Sequence, residues 1–197
     1  MTKTYRINEI FYSLQGEGRW AGRPAIFVRF SGCNLKCPFC DTDFSEYREM
    51  VVEEILSEIA LLSDHCRFVV LTGGEPTLQL DETLIESLHS RGYFIAIETN
   101  GTHRCPWNVD WITFSPKDAY VNNAQPVISY ADEIKIVFDG EHDVSDYGIR
   151  AYHKYLQPCD TGDKVKNAKI TERLVDFLLD NPEWSMSLQQ QKIINVK

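Results

Sequence analysis

The sequence predicts an α/β fold: a mostly parallel sheet of about six or seven core strands served by only three good helices. Three observations carry that prediction. As far as Asn100, short apolar runs rich in Val, Ile and Phe alternate with segments of helical period, the pattern of parallel strands joined by crossover helices. Beyond Asn100 the strand-like runs continue, but the segments between them turn polar, Pro-containing and weakly periodic. At 197 residues the chain reads as one domain, 1–197, with no repeat, low-complexity tract or linker to mark a second. A chain of that size buries roughly 70 per cent of its unfolded surface, enough for a core without disulfide staples.

Taken in order, AIFVRF (Ala25 to Phe30) reads as a buried strand. VVEEILSEIALL (Val51 to Leu62) reads as an amphipathic helix, with apolar residues at 52, 55, 56, 59 and 62. RFVVL (Arg67 to Leu71) is the next strand, DETLIESLHS a helix with Asp81 at or near its N-cap, and YFIAIE the third strand. WITFS, EIKIVF and KYLQP follow as strands. A late helix is predicted from about Ala168 to Leu179, with Ile170, Leu174, Phe177 and Leu178 on one face, stopped by Asn181-Pro182. WSMSLQQQ is read as a last strand.

The 20 basic and 29 acidic side chains leave a formal charge of −9, which argues against a nucleic-acid partner. MTKTYRINEI has no apolar signal region, and runs such as FVVL and FIAI are far shorter than a membrane span. The expectation is a cytoplasmic protein that does not engage a membrane. Of six cysteines, Cys66, Cys105 and Cys159 stand alone and read as small buried hydrophobes, whereas the clustered three fit a metal site in a reducing compartment.

The unusual residues fall after strands: the cysteine loop after the first, then TGGEP, ETNGT, SPK and QPCD. Ligands of parallel α/β sheets bind at the carboxyl ends of the strands, so these five loops are expected to share one mouth. In SGCNLKCPFCDT the spacing is Cys33-x-x-x-Cys37-x-x-Cys40, three thiolates where most cysteine-built centres use four. A zinc site completed by a distant His or Cys, or by Asp41, is one reading, but a second Cys or His pair is absent. A 4Fe-4S cluster on three thiolates keeps one iron open for a substrate or cofactor. Acid–base chemistry alone would want a tuned His or carboxylate pair at the mouth, yet of five histidines only His103 lies near a motif loop.

The cysteine spacing, with aromatic Phe39 before the last cysteine, resembles the signature of the radical S-adenosylmethionine (SAM) superfamily. GGEP (Gly73 to Pro76) resembles that superfamily's loop for the SAM amino group. The resemblance implies that the free iron chelates SAM and that reductive cleavage yields a 5′-deoxyadenosyl radical that abstracts hydrogen. FYSLQGEG (Phe11 to Gly18), leading into GRPAIFVRFSGC, with Asp41-Thr42 after the last cysteine, resembles the 7-carboxy-7-deazaguanine synthase family, and the similarity runs from Asn8 to MSLQQQK. That family resemblance implies a modified, partial (β/α) barrel of the radical SAM type. It also implies a lyase that contracts 6-carboxy-5,6,7,8-tetrahydropterin with loss of ammonia, using SAM and Mg2+ in queuosine and deazapurine biosynthesis. A homodimer and an electron donor such as flavodoxin or ferredoxin follow from the same resemblance.

Carried over by position, Cys33, Cys37 and Cys40 would hold the cluster and Thr42 the magnesium. Phe39, Gly74, Glu75, Glu98, Ser115, Pro116, Lys117, Gln157, Pro158, Cys159 and Asp160 would contact SAM. Leu14, Gln15, Gly16, Arg29, Thr72 and Gln191 would contact the pterin, with the planar fork of Arg29 suited to its carboxylate. Plainer roles stand beside these: Arg29 in a structural ion pair, Glu75 and Glu98 as satisfied core carboxylates. Gln191 stands where family members often carry a His, and an amide cannot become a cation. A glycyl-radical activating enzyme shares the cysteine and GGEP-like loops but has less need of Arg29; a zinc-stapled binding module is the non-enzymatic alternative.

Overall fold

The computed structural model describes residues 2–197. Among the described residues nine strands are present: β1 (Tyr5–Leu14), β2 (Pro24–Phe30), β3 (Arg48–Met50), β4 (Phe68–Gly73), β5 (Phe94–Thr99), β6 (Trp111–Phe114), β7 (Glu133–Phe138), β8 (His153–Pro158) and β9 (Ser185–Met186). The helices are α1 (Val52–Leu62), α2 (Glu82–His89), α3 (Lys164–Asp180) and the short α4 (Gln190–Ile194). All nine strands form one sheet in the order β3-β1-β2-β4-β5-β6-β7-β8-β9. From β2 through β9 the pairs are parallel; β1 runs antiparallel to both β2 and β3. The architecture is thus a mixed α/β fold with a mostly open sheet and few helices.

Each predicted strand except WSMSLQQQ is found within a residue or two. α1 and α2 pack Ile55, Leu56, Ile59, Leu84, Ile85 and Leu88 into one apolar core with β1, β2, β4 and β5, while α3 brings Ile170 and Leu174 to a second core under β6, β7 and β8. Asp81 caps α2 by accepting from Leu84 N at 3.2 Å, and also accepts from Tyr5 Oη at 2.7 Å. α3 starts before Ala168 because Asp163 accepts from Val165 N and Lys166 N; its first turn is solvated, so no apolar period marks it. Among the described residues no helix is long and apolar enough to cross a membrane.

Two differences bear on the site. The run WSMSLQQQ is not one strand: only Ser185–Met186 pair with β8, and Gln190–Ile194 turn into α4. Glutamine favours helix over strand, and Gln190 N is drawn away from the sheet to Gly16 O at 3.1 Å. The other difference is β1, which sequence periodicity did not single out. Its register slips between Ile7 and Glu9, and this bulge switches which side chains face the core, so no single alternation runs through it. Tyr5, Ile7 and Ile10 are buried in the core, whereas Glu9 and Phe11 line a cavity, Phe11 stacking on Phe27 where that wall meets the core.

Candidate functional site

That cavity, about 690 Å3, collects all five strand-end loops on one wall. Every site residue expected from the sequence lines it except Pro116, which borders a separate small hollow beside Tyr120. Proline's fixed ring turns the chain between Ser115 and Lys117, whose side chains both reach the cavity.

The cysteine loop, between β2 and β3, has no regular structure over residues 31–47. A segment of that length without secondary structure in a compact domain is commonly a binding loop. Cys33 and Cys37 are half-buried and Cys40 exposed, all three on the cavity wall. Burial, reinforced by the Glu75 carboxylate and by the neighbouring cysteines, pushes the Cys33 thiol up, and burial does the same at Cys37. Among the described residues no three His, Cys, Asp or Glu side chains are already drawn to metal-ligand spacing. Phe39 stands edge-on to Tyr120 with centroids 4.7 Å apart, which seats the loop over β7 and β8.

The GGEP loop is pressed against the cysteine loop by backbone contacts that only glycine allows. Gly74 N donates to Phe30 O at 3.0 Å and Glu75 N to Gly32 O at 2.9 Å. A Cβ on Gly73 would lie 2.1 Å from Phe30 O, and one on Gly74 would lie 2.0 Å from Gly32 O. Glu75 is 1 % exposed, and its carboxylate accepts from Thr77 N, Thr77 Oγ1, Thr99 Oγ1 and Asn100 N. Glu75 therefore fills the role of a satisfied core carboxylate, tying the loop after β4 to the end of β5.

Beneath the loops lies a charged floor. Lys135, on β7, donates to Glu17 at 2.7 Å and to Glu98 at 2.8 Å. Burial would discharge this lysine, but Glu17, Glu98 and Glu133 outweigh it and hold it charged. At Glu17 burial raises the carboxyl, yet Lys135 and hydrogen bonds from Gln189 and Gln191 bring it down to about 2. Glu98 also accepts from Gln15 Nε2 at 3.2 Å. Lys117 donates to Ser115 O and Oγ, and burial pulls its ammonium down to about 8 against the attraction of Cys37.

Glu133 accepts from Arg19 N at 2.8 Å, and burial pushes it up to about 7 despite Lys135. A carboxyl raised from 4.5 in the fold stays protonated where the unfolded chain ionises, so it lowers stability as pH rises from 4.5 to about 7. Glu133→Gln removes that ionisation and keeps an acceptor for Arg19 N. Urea denaturation of the cluster-free variant should show it more stable than the parent at pH 8 by on the order of 3 kcal/mol. The two should converge near pH 4.5.

Arg29 lies in register between Glu9 and Thr72. Its Nε donates to Glu9 Oε1 at 2.9 Å, the one hydrogen bond of its side chain among the described residues. The structural ion pair is thus real, and it is made at the cavity wall with the other guanidinium donors still available. Thr42 lines the cavity half-buried. Gln191 lies on α4 rather than on a strand; its Nε2 donates to Glu17 at 3.2 Å and its buried Oε1 has no partner.

Sequence reasoning passed over Glu9, Glu17, Lys135, Gln189 and Lys192 as wall residues. EIKIVF did carry a signal for Lys135, because Glu133 and Lys135 alternate with Ile134 and Ile136 in a buried strand. A charge repeating every second residue there points at a polar interior.

The pattern of the Radical SAM superfamily matches residues 27–115. Over 193 residues, covering 98% of both chains, the protein is 45% identical to a 7-carboxy-7-deazaguanine synthase of Bacteroides thetaiotaomicron. It is 38% identical to the enzyme of that name from Burkholderia multivorans, over 98% of this chain and 99% of that one. The crystal structure of QueE from Escherichia coli superposes with a TM-score of 0.74 at 29% identity, covering 95% of this chain and 94% of that one. A radical SAM match confined to the cysteine and GGEP loops would suit an activase equally; similarity over the full length, in sequence and in fold, does not, and the chain belongs to the 7-carboxy-7-deazaguanine synthase family.

Proposed function

We propose that this protein converts 6-carboxy-5,6,7,8-tetrahydropterin to 7-carboxy-7-deazaguanine with loss of ammonia, as a radical SAM lyase of deazapurine biosynthesis. The observation that carries the reading is the convergence of the cysteine loop, the GGEP loop and the Glu9–Arg29–Thr72 row on one cavity wall, in a chain similar to the synthases from end to end. A radical SAM enzyme uses a 4Fe-4S cluster and SAM, and the donor set suits them. Three thiols share the cavity wall, and backbone held close by Gly73 and Gly74 lies beside them. When bound, the reduced cluster and SAM supply the means to remove a hydrogen atom from carbon.

In this reading Cys33, Cys37 and Cys40 hold the cluster. Backbone at Gly74, with Phe39, Ser115, Lys117 and the Gln157 to Asp160 stretch, receives SAM. Glu75 acts on that site by fixing the loop rather than by touching the cofactor. The guanidinium of Arg29, steadied at Nε by Glu9, offers its remaining donors to the substrate carboxylate, a charge-assisted pairing that positions as well as binds. Leu14, Gln15, Gly16, Thr72 and Gln191 complete the pterin pocket. Glu98 keeps its place on the SAM side, and Glu17, whose Oε1 accepts from Gln189 and Gln191 and whose Oε2 accepts from Lys135, has an Oε2 lone pair left for an N–H group of a pterin ring. Thr42 offers a hard oxygen for Mg2+. An electron donor such as flavodoxin or ferredoxin, a homodimer and a cytoplasmic setting belong to the same reading.

Turnover of substrate deuterated at C6, the carbon bearing the carboxylate, tests it. Under anaerobic reducing conditions 7-carboxy-7-deazaguanine should form and deuterium should reach 5′-deoxyadenosine. Product without label in deoxyadenosine would place the abstraction elsewhere, and no product at all would remove the assignment.

A further inference from the structure

The stretch of the cysteine loop between Phe39 and Phe44 contains Cys40 and Thr42, and it is weakly tied down. Its hydrogen bonds are mostly internal: Cys40 N to Cys37 O, Cys40 Sγ to Thr42 O, and Ser45 N to Asp43 Oδ1. Among the described residues its side-chain ties to the rest of the chain run through Asp41, and at its far end Phe44 O accepts from Ser31 Oγ at 2.6 Å. The Lys192 ammonium lies 2.7 Å from Asp41 Oδ2, and Gln189 Nε2 donates to the same oxygen at 3.5 Å.

Lys192 also donates to Asp160 Oδ2 at 3.1 Å. Asp160 is the well-anchored end of this bridge: its Oδ1 accepts from Gly162 N at 3.0 Å and from Asn167 Nδ2 at 2.8 Å, in the first turn of α3. The lysine itself is set by α4, whose start is pinned at Gly16 O and whose Gln191 reaches Glu17. One ammonium therefore joins three segments that are far apart in sequence: the end of the cysteine loop, the loop after β8, and α4.

We propose that Lys192 is a positioning residue for the reaction proposed above, clamping the Cys40–Thr42 stretch to the loop after β8 so that cluster, SAM and metal sides of the cavity keep a fixed spacing. Its effect passes through Asp41 and Asp160, and it needs a cation with two acceptors in reach, which arginine can also supply.

The test compares the parent with Lys192→Met and Lys192→Arg. In cluster-free protein, hydrogen–deuterium exchange of amides from residues 39–45 should quicken about fivefold in Lys192→Met, the order expected on losing a partly exposed ion-pair tie. Exchange in β4 and β5 should stay at the parent rate, and Lys192→Arg should restore the loop to it. In reconstituted enzyme, Lys192→Met should raise the KM for SAM about fivefold with kcat within about twofold, again recovered by arginine. Unchanged exchange over residues 39–45, faster exchange spread through β4 and β5, or a defect that arginine fails to recover would each overturn the proposal. The exchange result does not depend on turnover. A parent that makes no deazaguanine would remove the assigned reaction while the exchange data still decide the clamp.

Discussion

Cys37→Ala should leave the chain without a stable iron–sulfur cluster and abolish deazaguanine formation. Cys37 is half-buried on the cavity wall between Cys33 and Cys40 in sequence, and its thiol is costly to ionise by burial alone, with Lys117 the nearest offset. A cluster supplies the positive charge that repays this cost, because metal binding deprotonates its thiols. Removing one of three protein ligands leaves an iron with neither thiolate nor substitute, since no other motif cysteine exists. Cys66→Ala and Cys105→Ala should keep full iron and sulfide content. Cys66 is buried against Pro24 and Phe68, and burial pushes Cys105 up to about 12, so neither thiol is disposed to ligate. Iron and sulfide counts on anaerobically reconstituted variants check this. Full loading of Cys37→Ala would overturn the ligand assignment.

Lys135→Met should be the most destabilising single change in the cavity floor. The lysine is 7 % exposed and bridges Glu17 and Glu98, with Glu133 also drawing on its charge. Taking away the shared cation strands buried carboxylates, which costs roughly 3–5 kcal/mol. The loss has a pH signature. In the parent, Glu17 sits far below its ordinary 4.5, so its contribution is present above that pH and lost as pH falls toward about 2. Without Lys135, burial is the largest remaining influence on Glu17 and raises it against the hydrogen bonds from Gln189 and Gln191, so the variant should lose stability as pH rises instead. Urea midpoints of the two proteins should therefore diverge between pH 5 and 8. Adding Glu17→Gln to Lys135→Met should recover part of the deficit, because the stranded charge is gone. An equal gap at both pH values would contradict the account.

The location of the site was legible from local patterns. Strand ends carrying cysteines, Gly-Gly-Glu-Pro and Ser-Pro-Lys must face one mouth when the strands are parallel, and apolar runs such as AIFVRF and EIKIVF declare such strands without tertiary information. Helices α1 and α2 were equally plain, since an apolar stripe every third or fourth residue and a capping Asp81 are properties of neighbouring residues. The cavity's electrostatics were not legible in this way. Whether Glu75 meets a cofactor or its own chain depends on Thr99 and Asn100 arriving from β5. Whether Arg29 stands alone depends on a bulge in β1 that brings Glu9 opposite it. The C-terminal segment shows the limit most clearly: WSMSLQQQ alternates well enough for a strand, and the contacts that instead make α4 cross the mouth are made with Gly16, Glu17, Asp41 and Asp160. By itself the sequence determined the fold class, the strands β2 and β4 through β8 and the three-thiol loop, because each rests on periodicity or spacing between near neighbours. Only the tertiary structure decided which charges share the buried floor and which lysine clamps the loops, because an ion pair's worth is set by the burial and distance of groups that lie far apart in the chain.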